Sequence, residues 1–182
     1  QAAAIAQVEA ALKRVTTVSY RVVQRIGNQP EQVTKVSAHD GVCRAERPDG
    51  SVYVFDSHRG RLLQLTPATK TCRLIEGATV PGGFDLASFL ADLRRHAASV
   101  QPGVGERTID GKRAQGFVVD ARGVAYGVWV DPETSLPLHF ESRQRRTEGP
   151  TGDGTAIEIE EVWTDFKFNE DLDAALFNSD PP

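Results

Sequence analysis

Several residues with catalytic potential lie at two turns of the chain, His39-Asp40 and Asp56-Ser57-His58. If a hairpin brought the two turns together, these side chains could form a metal site or a Ser-His-Asp arrangement for nucleophilic chemistry. Asp, Ser and His are also common at turns, because their side chains hydrogen-bond the local backbone. The turn role is favoured, and an enzyme remains an alternative that requires two or more of the His and Asp side chains to meet in a pocket.

Two further patterns are typical of active sites but have simpler explanations. Glu158 and Glu160 point the same way from one strand, whereas glycosidase chemistry needs two carboxyls that face each other across a cleft. The glycines at 82, 83, 103 and 105 lack the lysine and the strand–loop–helix context of a phosphate loop. The four histidines and two cysteines show no metal-ligand spacing. The sequence therefore predicts a protein that is not an enzyme and has no catalytic residues, metal or cofactor.

Length, composition and charge predict a single globular domain over residues 1–182. The 182 residues are 40% hydrophobic and 25% charged, as in ordinary globular proteins. The net charge of −4 and the scattered Lys and Arg argue against a nucleic-acid partner. A basic run at 143–146 is interpreted as a solvated strand end, with contact to an anionic lipid surface or acidic partner as the alternative. Nothing in the sequence predicts the oligomeric state.

The N-terminus and the two cysteines bear on the processing and the compartment of the chain. The chain starts at Gln1 and contains no Met, so we expect that an upstream tag, signal peptide or anchoring helix has been removed. Cys43 and Cys72 are compatible with a disulfide in an oxidising compartment. That bond would close a loop of about 30 residues and stabilise the fold by roughly 3–4 kcal/mol. Two separate buried thiols are the alternative.

Hydrophobic periodicity predicts two amphipathic helices and about ten or eleven strands. The helices cover residues 3–15 and 86–98, and Asp85 is the expected N-cap of the second one. Alternating apolar residues between strong turn signals predict an antiparallel meander. The expected strands are 18–26, 31–38, 42–47, 51–56, 61–65, 70–75, 106–109, three strands between Ile109 and Glu141, and 155–168. Residues 100–105 are expected to form a loop, 145–154 a mobile hairpin loop, and 172–177 a closing helical turn.

These elements predict an α+β fold that is mainly β. A large curved antiparallel sheet must fill its concave side, and the two amphipathic helices are the available cover. Leu86, Phe89, Leu90 and Leu93 form the broad apolar face of the second helix. That face is either plain core or the wall of a ligand space, and both interpretations remain open.

The motifs of the second half resemble a known family. They are Ile109-Asp110-Gly111, the hairpin 128–138 (Val-Trp-Val-Asp-Pro-Glu-Thr-Ser-Leu-Pro-Leu), the run 165–169 (Asp-Phe-Lys-Phe-Asn), and Leu172, Leu176 and Phe177. The combination resembles the lipoprotein-carrier superfamily of LolA and LolB, which includes the sensor domain of RseB and MucB. The resemblance spans nearly the whole chain. It implies a half-open antiparallel β-barrel with helices as a lid, a periplasmic location, and binding of lipid acyl chains or lipoproteins between sheet and lid.

The resemblance, with the apolar helix face, predicts where a ligand would bind. The expected lining residues are Phe84, Leu86, Phe89, Leu90 and Leu93 from the helix side, and Tyr126, Trp129, Phe140 and Trp163 from the sheet. Residues 81–83 (Pro-Gly-Gly) suit a hinge for a moving lid, because glycine absorbs large dihedral changes. Arg44 and Arg47 match by position the arginine that LolA uses to hold its lid closed.

Two functions of different classes follow from these expectations. The first is an envelope carrier that binds lipid acyl chains or a lipidated protein. The second is an extracytoplasmic sensor or interaction domain that is tethered to a membrane and reports to a regulatory protein. The segment upstream of Gln1 discriminates between them, because a cleavable signal peptide favours the carrier and a transmembrane helix favours the sensor.

Overall fold

The computed structural model describes residues 3–78, 86–146 and 156–181. Within these ranges the helices are α1 (Ala3–Leu12) and α2 (Leu86–His96). The strands before α2 are β1 (Thr17–Ile26), β2 (Gln32–His39), β3 (Val42–Glu46), β4 (Val52–Asp56), β5 (Arg61–Thr66) and β6 (Thr71–Glu76). The strands after α2 are β7 (Ala97–Ile109), β8 (Lys112–Ala121), β9 (Val124–Val130), β10 (Pro137–Arg146) and β11 (Ile157–Phe168). Two 3-10 turns, Pro67–Thr69 and Ala174–Phe177, complete the described elements.

All eleven strands belong to one antiparallel sheet. Its order is β6-β5-β4-β3-β2-β1-β11-β10-β9-β8-β7, so each half of the chain forms a meander and the two meanders join where β1 pairs with β11. Strands β6 and β7 form the two edges, which leaves the sheet open. Both helices pack on one face. The predicted fold class, an open antiparallel half-barrel covered by helices, is confirmed.

The two faces of the sheet differ in what packs against them. Successive side chains of a strand point to opposite faces, and the face under the helices carries the main core. That core contains Ile5 and Val8 of α1, Leu86, Leu90 and Leu93 of α2, and sheet residues that include Val18, Tyr20, Val36, Cys43, Ala45, Phe117, Val119, Val128, Phe140 and Trp163. We call this side the helix face and the opposite side the outer face.

Turn chemistry sets the hairpins that the sequence predicts. Asp40-Gly41 joins β2 to β3 with φ angles of 44° and 72°, and Asp110-Gly111 joins β7 to β8 with 49° and 77°. Two consecutive positive φ angles are the requirement of a tight turn that matches strand twist, and Asp-Gly supplies them at low cost. These turns therefore fix the register of both meanders.

The expected loop at 100–105 is wrong, because these residues belong to β7. The pairing with β8 shifts register between Ala97 and Ser99 and again between Pro102 and Gly105. Gly103 and Gly105 have φ angles of 71° and 122°. The residues that suggested a loop instead form bulges, which a strand at the edge of a sheet accommodates. As a result, α2 continues into β7 with no connecting loop.

The expected disulfide is also wrong, since neither Cys43 nor Cys72 is in one. Cys43 pairs with Phe55 on the helix face, whereas Cys72 pairs with Leu65 on the outer face. Strands β4 and β5 lie between them, so three interstrand spacings of about 4.8 Å separate the two backbones. A disulfide needs Cα atoms within about 7 Å of each other. Cys43 is buried and Cys72 is exposed.

Smaller differences concern the ends of elements. The first helix ends at Leu12 instead of residue 15, and the closing helical turn is a 3-10 turn that starts at Ala174. Several expectations fall outside the described residues. These are the N-cap Asp85, the hinge at 81–83, the lining residue Phe84 and most of the loop expected at 145–154.

Candidate ligand site beneath the helices

The middle of α2 packs against an aromatic cluster on the helix face. The ring of Phe89 lies 5.6 Å from Tyr126, 5.7 Å from Phe140 and 4.6 Å from Trp163, measured between centroids. The contacts with Tyr126 and Phe140 are edge to face, the arrangement that aromatic quadrupoles favour. Leu90 and Trp163 are only 0% and 1% exposed. This end of the helix–sheet interface, which we call the packed end, is close-packed core.

Polar contacts complete the packed end. The indole nitrogen of Trp163 donates a hydrogen bond to Glu161 Oε1 at 2.8 Å, so burying this ring leaves no unpaired donor. Tyr20 stacks on Trp163 at 5.2 Å and on Phe166 at 5.1 Å. Four of the predicted lining residues, Phe89, Tyr126, Phe140 and Trp163, therefore lie together through the ring contacts of Phe89, and Leu90 and Leu93 belong to the same hydrophobic core.

The first turn of α2 lies over a cavity of about 130 Å³. Apolar residues of both helices and of β1 to β4, with Val15 between α1 and β1, form most of its wall: Leu12, Val15, Val18, Ala38, Val42, Cys43, Phe55, Leu86 and Ala87. Ala38 and Cys43 are small residues that face each other across β2 and β3, which is why the sheet leaves space here. Among the predicted lining residues that the structure describes, Leu86 is the one that reaches this cavity. We call this region the hollow end.

Polar residues at strand ends and turns form a rim at the hollow end. Thr16, Thr17, His39, Asp40 and Ser57 contribute to it. The β2–β3 turn is held against the β4–β5 turn by backbone and side-chain hydrogen bonds. Ser57 Oγ donates to the carbonyl of Gly41 at 2.7 Å, and His58 Nε2 lies 2.8 Å from the carbonyl of Asp40.

The residues considered for catalysis have structural roles instead. His39 and Asp40 do line the cavity, but the Ser57 hydroxyl donates to the carbonyl of Gly41, and Asp56 meets His58 only through the His58 backbone amide, at 3.0 Å. No Ser-His-Asp relay is assembled. In the part of the chain that the structure describes, no group of three His, Cys, Asp or Glu side chains could hold a metal ion.

Asp56 instead anchors the C-terminal tail on the outer face. Its carboxylate accepts hydrogen bonds from Ser179 Oγ at 2.9 Å and from the amides of His58 and Arg59 at 3.0 Å each. Burial opposes ionisation of Asp56, but the hydrogen bonds from Arg59, Ser179 and His58 outweigh it, so the pKa of Asp56 lies below its usual value. Arg61 donates to Asp180 at 2.5 Å, and the ring of Phe177 packs on His39.

Trp129 was expected to line the ligand space, and the structure places it on the outer face. Its neighbour Val128 is the residue that faces the helices and pairs with Phe140. The Trp129 ring lies flat on Gly116, where an added Cβ would come within 2.5 Å of a ring carbon. The guanidinium of Arg107 stacks on its other side at 3.9 Å. Alternation along β9, which cannot be assigned without the strand register, decides this position.

The remaining polar candidates also lie away from the helices. Arg143 forms ion pairs with Glu158, at 3.1 Å, and with Glu160 on the outer face, where the two carboxylates share one side of β11 as expected. Arg44 pairs with Glu46 at 2.7 Å and donates to the carbonyl of Leu176, so it holds the tail instead of a lid.

Other arginines tie the helices in place. Arg47, the second positional candidate for the lid arginine, stacks on the ring of Tyr53 at 4.7 Å. Arg94 of α2 pairs with Glu9 of α1 at 2.7 Å, and Arg122 in the β8–β9 turn pairs with Asp92 of α2 at 3.1 Å. No helix in the described ranges is long and apolar enough to cross a membrane.

No protein-family model and no curated protein matches the sequence of the chain. Solved structures with the same fold do exist. An uncharacterized conserved protein from Thermus thermophilus superimposes with a TM-score of 0.57 at 16% identity, covering 99% of this chain and 95% of that one. A chain of the Pseudomonas aeruginosa MucA/MucB complex superimposes with a TM-score of 0.56 at 15% identity, and the match covers 98% of this chain and 60% of that one.

A LolA superfamily protein from Nitrosomonas europaea also matches over 97% of this chain, with a TM-score of 0.41 at 12% identity. The MucA/MucB match confirms the resemblance noted from the sequence motifs at the level of fold.

The sequence predicted the aromatic residues beneath α2, but it did not reveal the hollow end. The available signal was the pair of small residues, Ala38 and Cys43, flanking the Asp40-Gly41 turn.

Proposed function

We propose that this chain is an extracytoplasmic binding protein that shelters an apolar group, such as the acyl chain of a lipid or lipidated protein, beneath the first turn of α2. The observation that carries the proposal is the hollow end: an apolar cavity between helix and sheet, in a fold whose core is otherwise tightly packed nearby. Apolar walls with a few polar groups at the rim are typical of small-molecule sites.

The size of the cavity defines what binding requires. A volume of about 130 Å³ corresponds to roughly four water-sized groups, at about 30 Å³ each. A longer acyl chain therefore needs the first turn of α2 to move away from the sheet. Each buried CH₂ contributes about 0.8 kcal/mol, so a few additional methylenes offset the loss of the Leu86 contacts.

The two cysteines provide the test, because they report on opposite faces. Cys43 lines the cavity and Cys72 is exposed on the outer face. In a Cys72→Ser variant, Cys43 is the sole thiol, and its labelling by N-ethylmaleimide is measured with and without dodecanoate. We expect dodecanoate to slow Cys43 labelling by fivefold or more, because the chain covers the thiol.

The matched control is the Cys43→Ser variant, in which Cys72 should label at the same rate with or without dodecanoate. Native mass spectrometry of the same samples should show one bound dodecanoate per chain. Unchanged Cys43 labelling together with no bound fatty acid would contradict the proposal.

A second candidate function is an extracytoplasmic sensor domain with a regulatory protein partner. The fold match to a chain of the MucA/MucB complex favours it, because that structure is a protein–protein complex. The two functions differ in the binding partner, which is an acyl chain for the carrier and a regulatory protein for the sensor. A sensor of this kind would retain a partner protein on an affinity column at physiological salt, and loading with dodecanoate would change that retention.

A further inference from the structure

A second cavity, of about 300 Å³, occupies the groove between α1 and α2. Residues 9 and 12 of α1, residue 13 directly after it, and residues 87, 91 and 94 of α2 line it: Glu9, Leu12, Lys13, Ala87, Ala91 and Arg94. Spacings of three, four and seven residues place each set on one side of its helix, so the two sets face each other. The groove is open because Ala87 and Ala91 have little side chain to fill it.

The groove adjoins the hollow end. Leu12 and Ala87 line both cavities, so these two side chains form the partition between them. Only a methyl group projects from Ala87, and Leu12 is partly buried with rotatable bonds. A modest side-chain rearrangement at Leu12 therefore connects the groove to the space in front of Cys43.

The rim of the groove is more basic than acidic. Arg94 Nη1 pairs with Glu9 Oε2 at 2.7 Å, which consumes the one carboxylate in the lining. Lys13 is exposed and has no ion pair among the described residues. The lining thus has one more cation than anion, although the whole chain carries a net charge of −4. The side chains of Lys13 and Arg94 are long enough to keep their charged groups in water while their methylenes cover apolar surface.

We propose that the α1–α2 groove is the entrance to the ligand site and selects single-chain amphiphiles with an anionic head. Lys13 and Arg94 hold a carboxylate or phosphate head, and the chain passes between Leu12 and Ala87 into the hollow end. This inference rests on the proposed function and adds the route and the ligand class. Charge complementarity and the shared wall of the two cavities support it.

The route is tested by changing the partition. Ala87→Leu places a large side chain between the two cavities, and Leu12→Ala removes one. In the Cys72→Ser background, we expect Ala87→Leu to slow the onset of Cys43 protection by dodecanoate at least tenfold, and Leu12→Ala to accelerate it. Ala10→Leu, on the exposed side of α1, is the matched control and should leave the rate unchanged. Ala91→Leu, which narrows the groove without touching the partition, gives a second variant if Ala87→Leu folds poorly.

The head-group preference is tested with probes that share a chain. Dodecanoate and dodecyl phosphate carry an anionic head, dodecanol is neutral, and dodecyltrimethylammonium is cationic. We expect Lys13→Gln to weaken protection by both anionic probes about two- to fivefold, the range of an exposed ion pair, and to leave dodecanol unchanged. Lys112→Gln, at the exposed start of β8, is the control. Stronger binding of one anionic probe identifies the carboxylate or the phosphate as the natural head.

The outcomes separate this inference from the function on which it rests. If no probe protects Cys43 in the parent protein, the proposed function fails. If the probes protect Cys43 but Ala87→Leu, Ala91→Leu and Lys13→Gln behave like their controls, the ligand enters elsewhere and the inference is overturned. Equal affinity for dodecanol, dodecanoate and the cationic probe would also overturn the head-group assignment.

Discussion

The first turn of α2 and its middle rest on the same sheet in different ways. At the packed end, Phe89 inserts among Tyr126, Phe140 and Trp163, and the interface is filled by rings. At the hollow end, Leu86 covers a cavity whose floor is made of small residues. Hydrogen bonds between turns and a tail clasp on the outer face, through Asp56 and Ser179, support the sheet there. The packed end of the helix is thus held by apolar packing, whereas the hollow end is supported by polar contacts in the surrounding turns and tail.

The largest expected effect compares the same truncation at the two ends. Leu90→Ala should lower the free energy of unfolding by about 4–5 kcal/mol, because Leu90 is fully surrounded and its removal leaves a void. Leu86→Ala should cost only about 2–3 kcal/mol, because part of its surroundings is already cavity. Urea denaturation followed by circular dichroism measures both. Equal costs would show that the two ends are packed alike.

A glycine pair tests whether the rim of the hollow end is held by close contact. Gly41 and Gly50 both have positive φ, 72° and 81°, but only at Gly41 would a Cβ clash, lying 2.6 Å from His58 Nε2. Gly50→Ala should cost about 1 kcal/mol for the left-handed backbone alone. Gly41→Ala should cost about 3 kcal/mol, since the β4–β5 turn must also shift. If both variants unfold at the same urea concentration, the two turns are not coupled.

The tail clasp should make the hollow end sensitive to acid. Because the pKa of Asp56 is lowered in the folded protein, its contribution to stability is present above its unfolded pKa and is lost as the pH falls through the folded pKa. Ser179→Ala removes one hydrogen bond to this carboxylate and should cost about 2 kcal/mol at pH 7. The difference between wild type and variant should shrink below about pH 4. A constant difference between pH 7 and pH 3 would assign Ser179 a role independent of ionised Asp56.

The smallest effect concerns the ion pair between the helices. Arg94→Gln should change the free energy of unfolding by at most about 0.5 kcal/mol, because Arg94 is more than half exposed and solvent screens the pair with Glu9. The difference should disappear in 1 M salt, where the Debye length is about 3 Å. A larger cost would mean that the ion pair, and not the aromatic anchor, holds the helices together.

The fold was predictable because local signals agreed with it. Asp40-Gly41 and Asp110-Gly111 fixed tight turns, and alternating residues such as Val18, Tyr20 and Val22 identified half-buried strands. Long-range arrangement was less accessible. The positions of Cys43 and Cys72 on opposite faces, and of Trp129 on the outer face, depend on strand order and register that no local pattern states.

The candidate site was predictable in part. Leu86 was expected to face a ligand space and does line the cavity, but most of its predicted partners form the packed end. The sequence shows which residues are apolar. It does not show which of these residues border empty space in the folded protein. A cavity is a deficit of side-chain volume at one place, here left by Ala38 and Cys43, and it appears only when strands and helices are assembled.

The direct junction of α2 with β7 has a mechanical consequence. His96 ends the helix and Ala97 begins a strand that is hydrogen-bonded to β8, so one end of the helix is clamped to the sheet. The helix is a rigid rod of about 15 Å between its first and last residues. Tilting it by about 10° about the clamp would lift Leu86 by roughly 2.6 Å and leave His96 almost stationary, and the ring contacts of Phe89 would adjust to a displacement of roughly 1.8 Å. A small rotation at the clamped end therefore produces its largest displacement at Leu86, directly above the cavity.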